Sequence, residues 1–528
     1  MGGGNLLSFL SQLAYNSGIL SKFAILLTLA VSGCDDYLTQ TPPDQLTSKN
    51  YWRSQADVER AMSSAYSQMY LMDYSSDMWT FAEVNWPVLA YRGDDVNMGK
   101  DAMNYQNWVD LYNFTYTNGN SQFTTYWTHM YTGISFCNQI IDKAGAMGED
   151  KIAADKRDAL IAEARFLRGY YHMMLLLNWQ NIIIRDHYIT SGEASALDKG
   201  VSPRPETWDF IINDFKAAAD KLPQKWDNDN LGRATSGAAY AYMGWAWLTR
   251  AYEETANQQQ DFANAVAAFN QVKGYELVSD FADMFNGTLK NSKESIFEQQ
   301  YSFSDANGAL YRTQLHRWIG CSELWGWDEI LPSQQLMDEY KKEGKISTKG
   351  DYDSRLYATI FFQCDYFNDG TGKVYGYDYD DWFQDGDGNA YNRPAFRKFM
   401  PATYEGLSLS STALNLPLMR YANVLLMKAE ALNGMGQTSE AISLINEVRR
   451  VHGNMPPMPG TTQAEVQAQI EHERELEFPL ENMRWYDLRR WGKTANALQA
   501  AGRTGYTADK AFYPIPLQEL NDNGALKK

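Results

Sequence analysis

The stretch Pro417-Leu-Met-Arg-Tyr-Ala-Asn-Val-Leu-Leu-Met-Lys-Ala-Glu-Ala-Leu-Asn-Gly-Met435, resumed by Thr438-Ser-Glu-Ala-Ile-Ser-Leu-Ile-Asn-Glu-Val-Arg-Arg-Val-His452, decides the fold class. Ala422, Leu425, Ala429 and Leu432 recur at the three- and four-residue spacing of one helix face. Gly436 breaks the pattern, and Ala441, Ile445 and Val448 restart it. Two amphipathic helices joined by so short a turn must lie side by side, with small residues of one facing bulky residues of the other.

The same reading extends towards the N-terminus. Val58, Ala61, Met62, Ala65 and Met69 mark a helix from Ser54. Met130, Ile134 and Ile141 mark one from about Tyr126 to Ala144, and Ala164, Leu167, Tyr171 and Leu175 one from about Asp155 to Leu177. Trp208 to Leu222 follows, with Phe210, Ile211, Phe215 and Ala218, Thr207 as its start and Pro223 as its stop. Ser236–Tyr252 and Phe262–Lys273 form a further pair. Helix pairs of this tetratricopeptide-like kind cannot bury a face alone and need stacked neighbours. Two segments break the rhythm, about 73–121 and 275–416; both are rich in Gly, Asp, Asn and aromatics, and Ser295–Tyr301 reads as a strand. The expected fold is mostly α: a helix-pair superhelix carrying loop-rich insertions with minor β.

At the amino end, Lys22 precedes the apolar run Phe23–Val31 and then Ser32-Gly33-Cys34. A positive charge, a short apolar run and small residues before a cut site make a secretory signal peptide over residues 1–33. The run is too short to span a bilayer, which takes about 20 apolar residues. Val31-Ser-Gly-Cys34 resembles a bacterial lipobox, which implies acylation of Cys34, a polar tether over 34–50 and a folded body over 51–528 outside the bilayer.

Formal charge is −18 and the pI near 4.9, which argues against nucleic acid or acidic polymers held by bulk electrostatics. Beyond Cys34 only Cys137, Cys321 and Cys364 remain, too few and too scattered for a disulfide framework or a zinc site, although one bridge stays open. His472-Glu-Arg-Glu475 lacks the second His of a zinc-protease helix, and neither a nucleophile elbow nor a phosphate loop is present. No catalytic residue and no cofactor is assigned. Asp385-Gly-Asp-Gly-Asn389 places Asp385, Asp387 and Asn389 as a calcium loop would, but Arg393 stands where the closing Glu belongs. A solvated acidic turn is the default there.

Several strings then converge on one resemblance. Ala162-Glu-Ala-Arg-Phe-Leu-Arg-Gly-Tyr-Tyr171, Asn291-Ser-Lys-Glu-Ser-Ile-Phe297, Arg420–Leu432, Ile445-Asn-Glu-Val-Arg449, Glu473-Arg-Glu-Leu-Glu-Phe478, Arg484-Trp-Tyr-Asp-Leu-Arg-Arg-Trp491 and Tyr513-Pro-Ile-Pro516 resemble, in order, the motifs of the SusD/RagB family. The resemblance implies four tetratricopeptide-like units under an irregular ligand-binding face. It also implies a non-catalytic outer-membrane surface lipoprotein that binds glycans over a SusC-like TonB-dependent transporter. Asn178-Trp-Gln-Asn-Ile-Ile183 departs from the family's Trp-Gly…Pro turn, which implies a local loop difference.

Sugar rings offer apolar C–H faces to aromatic planes and hydroxyls to planar polar groups. The candidate ligand contacts are therefore Trp79, Trp86, Tyr91, Asp94 and Asn97 in the first insertion, beside Asp95, and Tyr311, Arg317, Trp318, Trp325 and Trp327 in the second, beside Asp328. Against this stands the commoner fate of a large aromatic, burial in a core. Arg165, Arg168, Glu430, Arg474, Arg484, Asp487 and Arg489 read instead as structural, since buried charges in helices must pair. The rival readings are a surface glycoside hydrolase, with two carboxyls about 5–9.5 Å apart, and a relative with peptide cargo.

Overall fold

The computed structural model describes residues 51–70, 87–303, 312–370 and 372–527, apart from the side chains of Ser191, Gly192 and Ala194. The expected signal peptide over 1–33, Cys34, the expected tether over 34–50, Trp79, Trp86 and Tyr311 lie outside the described residues. The chain divides into a small unit, Met1–Asp57, and a large one, Val58–Lys528. The longer helices are α1 (Gln55–Ser67), α2 (Ser121–Gly145), α3 (Ala154–Asn178), α4 (Arg204–Ala219), α5 (Ser236–Glu253), α6 (Gln258–Phe269), α7 (Tyr421–Gly434), α8 (Thr438–Val448), α9 (Gln463–Glu477) and the short α10 (Arg484–Arg490).

From α2 to α9 the helices pack as a relay. Each touches the next, α6 passes the stack to α7, and α7 supports both α8 and α9. The contacts follow the small-against-bulky rule. A Cβ on Gly133 of α2 would lie 2.5 Å from the Tyr171 ring of α3, and one on Gly169 of α3 would lie 3.1 Å from Phe215 of α4. Gly244 of α5 meets Phe269, and Gly434 of α7 meets Phe262, both on α6, at 2.4 and 2.5 Å. Removing the Cβ lets an aromatic ring lie directly on the neighbouring backbone, so successive pairs close up at interior packing density.

The insertions contribute three two-stranded antiparallel sheets. β1 (Val96–Met98) pairs with β3 (Ile330–Pro332), β2 (Ser295–Gln299) with β6 (Leu416–Arg420), and β4 (Ile360–Phe361) with β5 (Ala395–Phe396). Ser295–Gln299 is the expected strand. The β1–β3 ladder sets Asn97 opposite Leu331 and so joins the two irregular segments. At the departure from the family turn, the Tyr513 amide donates to Asn178 O and the buried Trp179 indole donates to Pro514 O, both at 2.9 Å. Cys137, Cys321 and Cys364 are free thiols, so the bridge left open is not formed.

Buried arginines join the C-terminal helices to the insertions. Arg420, at the end of β6, pairs with Glu294 at 2.6 Å, Glu477 at 2.9 Å and Glu481 at 2.8 Å. Arg355 pairs with Asp353, Glu473 and Glu477, and Arg449 with Glu473 and Glu343. His452, on a π-turn that ends α8, lies between Glu477 at 2.8 Å and Glu294 at 3.1 Å. Burial alone would raise Glu473 and Glu477. For Glu473 the Arg355 and Arg449 guanidiniums outweigh it and hold the group at about 2. His452, Arg420 and Arg355 hold Glu477 well below the carboxylate range. Burial would lower His452, but Glu477 and Glu294 raise it to about 9. The residues read as structural do pair or pack. Arg165 and Arg168 meet Asp214, Arg474 meets Asp487, Arg490 meets Glu430 and Asp487, and Arg489 donates to Leu177 O.

Two predictions follow from this packing. Gly244→Val should cost about 1–3 kcal/mol through overpacking against Phe269, seen as a lower denaturation midpoint; an unchanged midpoint would show that the α5–α6 contact yields freely. The raised His452 contributes stability that is complete below about 6.5 and is lost as pH rises through about 9. The depressed Glu473 contributes stability present above about 4.5 and lost towards 2. Thermal melts should therefore decline between pH 6.5 and 9, and His452→Gln should flatten that decline. A wild-type and variant of identical slope would remove His452 as its source.

Candidate functional site

The site begins where β1 and β3 hold the two insertions together. Ahead of β3, the loop Cys321–Glu329 doubles back on itself. The Gly326 amide donates to Cys321 O at 2.8 Å, Trp327 N to Arg317 O at 2.8 Å and Asp328 N to Gly320 O at 3.2 Å. A Cβ on Gly326 would sit 1.8 Å from Gly320 O, so only glycine permits this approach. Trp325 lies in the left-handed region at φ 57°, an uncommon conformation for a bulky residue. Arg317 fixes the loop by donating to Trp325 O, to Ser408 O at 3.1 Å and to Leu409 O at 2.7 Å.

The result is a run of open rings. Trp325, 39% exposed, stands edge-on to Tyr404, 49% exposed, at 5.2 Å between centroids. Tyr404 lies 6.0 Å from the half-buried Trp382, which lies 5.5 Å from Tyr377, 56% exposed. The Trp382 indole donates to Glu323 O at 3.0 Å, which locks its orientation. Beneath the Trp325 loop is an inner layer. Trp327 is perpendicular to Trp318 at 5.0 Å, Trp318 is 5.3 Å from Trp108, and Trp108 supports the exposed Tyr105 at 4.6 Å.

Arg393 sets the charge beside the rings. It pairs with Glu323 at 3.0 Å and with Asp328, and Tyr391 donates to Glu323. Burial would raise Glu323, but Tyr391 and Arg393 keep it below the usual range. Glu323 is thus held in the charged form, the opposite of the protonated acid that glycoside hydrolysis requires. Glu329 is pushed up to about 8 by burial and by Asp101 and Asp328, and its Oε2 has no partner. It is buried, 3% exposed.

Of the sequence candidates, Arg317, Trp325 and Trp327 come together here, and exposed Asn97 on β1 accepts from the Tyr112 hydroxyl of the short helix Gln106–Asn113 at 3.2 Å. Three are corrected. Trp318, 2% exposed, is sealed between Trp108 and Trp327. Tyr91 is buried with its hydroxyl donating to Glu329 O at 2.6 Å. Asp94 is buried and clamped by Arg484 at 2.6 Å, with Gln335 at 2.7 Å. All three are buried and pack beneath the surface. Tyr377, Trp382, Tyr404 and Tyr105 were not among the candidates. Tyr377 and Trp382 carry the same signal as Trp325, an aromatic beside Gly or Asp in aperiodic chain, as in Gly376-Tyr377-Asp378 and Asp381-Trp382; Tyr404 and Tyr105 lack it.

Three groups of potential metal ligands occur among the described residues: Glu294, His452 and Glu477; Cys321, Glu323 and Asp328; and Glu343, His472 and Glu473. In each an arginine already supplies the cation, namely Arg420, Arg393 and Arg449. In the Asp385 turn, Oδ1 accepts the amides of Asp387 and Asn389, both at 2.9 Å. This is the geometry of a self-satisfied acidic turn.

Two family models match in succession: one described as starch-binding associating with outer membrane, over residues 36–248, and one described as SusD family, over residues 293–528. SusD-like protein P2 of Formosa agariphila is 28% identical over 490 residues, 88% of this chain and 89% of its own. A SusD superfamily protein of Bacteroides vulgatus shares the fold with a TM-score of 0.74 at 24% identity, over 90% of this chain and 98% of its own. A laminarin-binding SusD-like protein does so with a TM-score of 0.70 at 22% identity, over 89% and 98%. Surface glycan-binding protein A of Bacteroides fluxus reaches 0.69 at 24%, over 90% and 98%. With the helical relay, the irregular face and both halves of the chain matched in order, the chain belongs to the SusD/RagB family.

Proposed function

We propose that this chain is a non-catalytic, surface-exposed lipoprotein that captures oligosaccharides on the Trp325–Tyr404–Trp382–Tyr377 face and passes them to a SusC-like TonB-dependent transporter in the outer membrane. The observation that carries the reading is the face itself: aromatic planes held open by backbone geometry and by Arg317, where solvent-exposed rings would otherwise collapse inward. Such rings suit the apolar side of a pyranose, and the adjoining Glu323, Asp328 and Asn97 suit its hydroxyls. Relatives named for laminarin binding and surface glycan binding support the ligand class. The model described as associating with outer membrane supports the location. Among the described residues no helix is long and apolar enough to cross a membrane, which accords with attachment through a lipid on Cys34.

The joint variant Trp325→Ala, Tyr404→Ala should weaken the tightest ligand of a neutral oligosaccharide panel roughly 30-fold or more in calorimetry, since truncating a central aromatic contact costs about 2 kcal/mol or more. Trp318→Ala should act through stability, at about 3–5 kcal/mol. Unchanged affinity in the joint variant removes the face as the binding site. Release of reducing ends by the purified chain would favour the hydrolase reading. For the anchor, Cys34→Ser should shift the chain from the membrane pellet to the soluble fraction and abolish incorporation of labelled fatty acid; retention of either contradicts lipidation at Cys34.

A further inference from the structure

A second cleft lies between the segment linking α4 to α5 and the segments flanking β2. It measures about 440 Å³, within the size range of small-ligand sites. Its aromatic lining is fixed in place. The Trp226 indole donates to Ala234 O at 2.8 Å, and the Arg233 guanidinium lies 4.1 Å from its ring centroid. Arg233 is itself held by the buried Glu163 and by Asn230 at 2.7 Å. Across the cleft, the Tyr275 hydroxyl lies 3.2 Å from Thr235 Oγ1, and the ring stacks on Tyr421.

The charge of this cleft is the reverse of the chain's. The whole sequence carries −18. Yet the cleft is lined by Lys225, Lys273, Lys293 and Arg233, with Glu298 as its one carboxylate. Glu298 is buried and occupied by the Asn291 amide at 3.0 Å and Asn415 at 2.6 Å. Arg233 is neutralised by Glu163, and Lys293 by Glu276 at 2.9 Å. Lys225 and Lys273 make no ion pair among the described residues. Two exposed lysines without an ion-pair partner, on a cleft that also holds a fixed indole and phenol, concentrate anions from solution.

We infer that this cleft is a second saccharide site, for acidic sugars: the ring's C–H face rests on Trp226 and its carboxylate or sulfate ester lies between Lys225 and Lys273. It is separate in sequence and in lining from the Trp325 face. The reversals Lys225→Glu and Lys273→Glu change only exposed side chains, so the double variant should fold as the wild type does.

The test is calorimetry on the chain with oligogalacturonate, a sulfated galactan oligosaccharide, a neutral galacto-oligosaccharide and inorganic sulfate. At least one acidic oligosaccharide should bind in a salt-sensitive manner and should weaken tenfold or more in Lys225→Glu, Lys273→Glu. Its affinity should be unaffected by Trp325→Ala, Tyr404→Ala, and the neutral sugar should show the opposite pattern. The inference is overturned if neither acidic oligosaccharide binds, if the double reversal leaves their affinity unchanged, or if inorganic sulfate binds as tightly as the sugars. Loss of acidic-sugar binding in the Trp325, Tyr404 variant would assign all binding to the first face and would overturn the second site while leaving the first standing.

Discussion

A guanidinium removed from water has few places to go, and this constraint organises the molecule. Arg420, Arg355 and Arg449 are buried together against Glu294, Glu343, Glu473, Glu477 and Glu481. A buried ion pair is weak evidence of net stability, since desolvation offsets much of the attraction. Breaking one is severe, because the remaining charge is stranded. The network therefore acts through geometry. The arrangement of α9, β6, the π-turn and the chain near Glu294 satisfies these charges together.

The same device recurs nearer the surface with a different outcome. Arg317 spends its donors on the carbonyls of Trp325, Ser408 and Leu409, and Arg393 spends its own on Glu323 and Asp328. These contacts tie together loops that have no helix period and only short ladders. The open rings of Trp325, Tyr404 and Tyr377 are thereby fixed relative to one another before any ligand arrives. A preformed surface of this kind loses little conformational entropy on binding. The helical relay beneath supplies the rigidity, and Trp318, Tyr91 and Asp94 transmit it as the buried inner layer.

The scaffold was legible because helices write their packing at fixed spacing. Gly244 against Phe269 and Gly434 against Phe262 are the small-and-bulky alternation that the sequence shows across each turn. The face was legible only as a region. Trp318 and Trp325 are seven residues apart in sequence without a helical period, yet Trp318 falls in a short helix, Leu315–Ile319, and is sealed, while Trp325 is open. What separates them is a left-handed φ at Trp325 and a glycine contact between Gly320 and Gly326. Neither has a periodic signature. The burial of Tyr91 and Asp94 is invisible in local sequence because their partners, Glu329 and Arg484, are hundreds of residues away along the chain. The structural arginines were readable for the opposite reason: a charge amid apolar helical neighbours demands a partner wherever that partner lies.

The central claim, that an outward aromatic face receives the sugar ring, is tested most directly by a crystal structure of the chain with a bound neutral oligosaccharide. A pyranose in van der Waals contact with the Trp325 or Tyr404 ring, its hydroxyls towards Glu323, Asp328 or Asn97, is the predicted result. A well-defined oligosaccharide bound elsewhere, with the rings of Trp325, Tyr404, Trp382 and Tyr377 bare, would contradict the account.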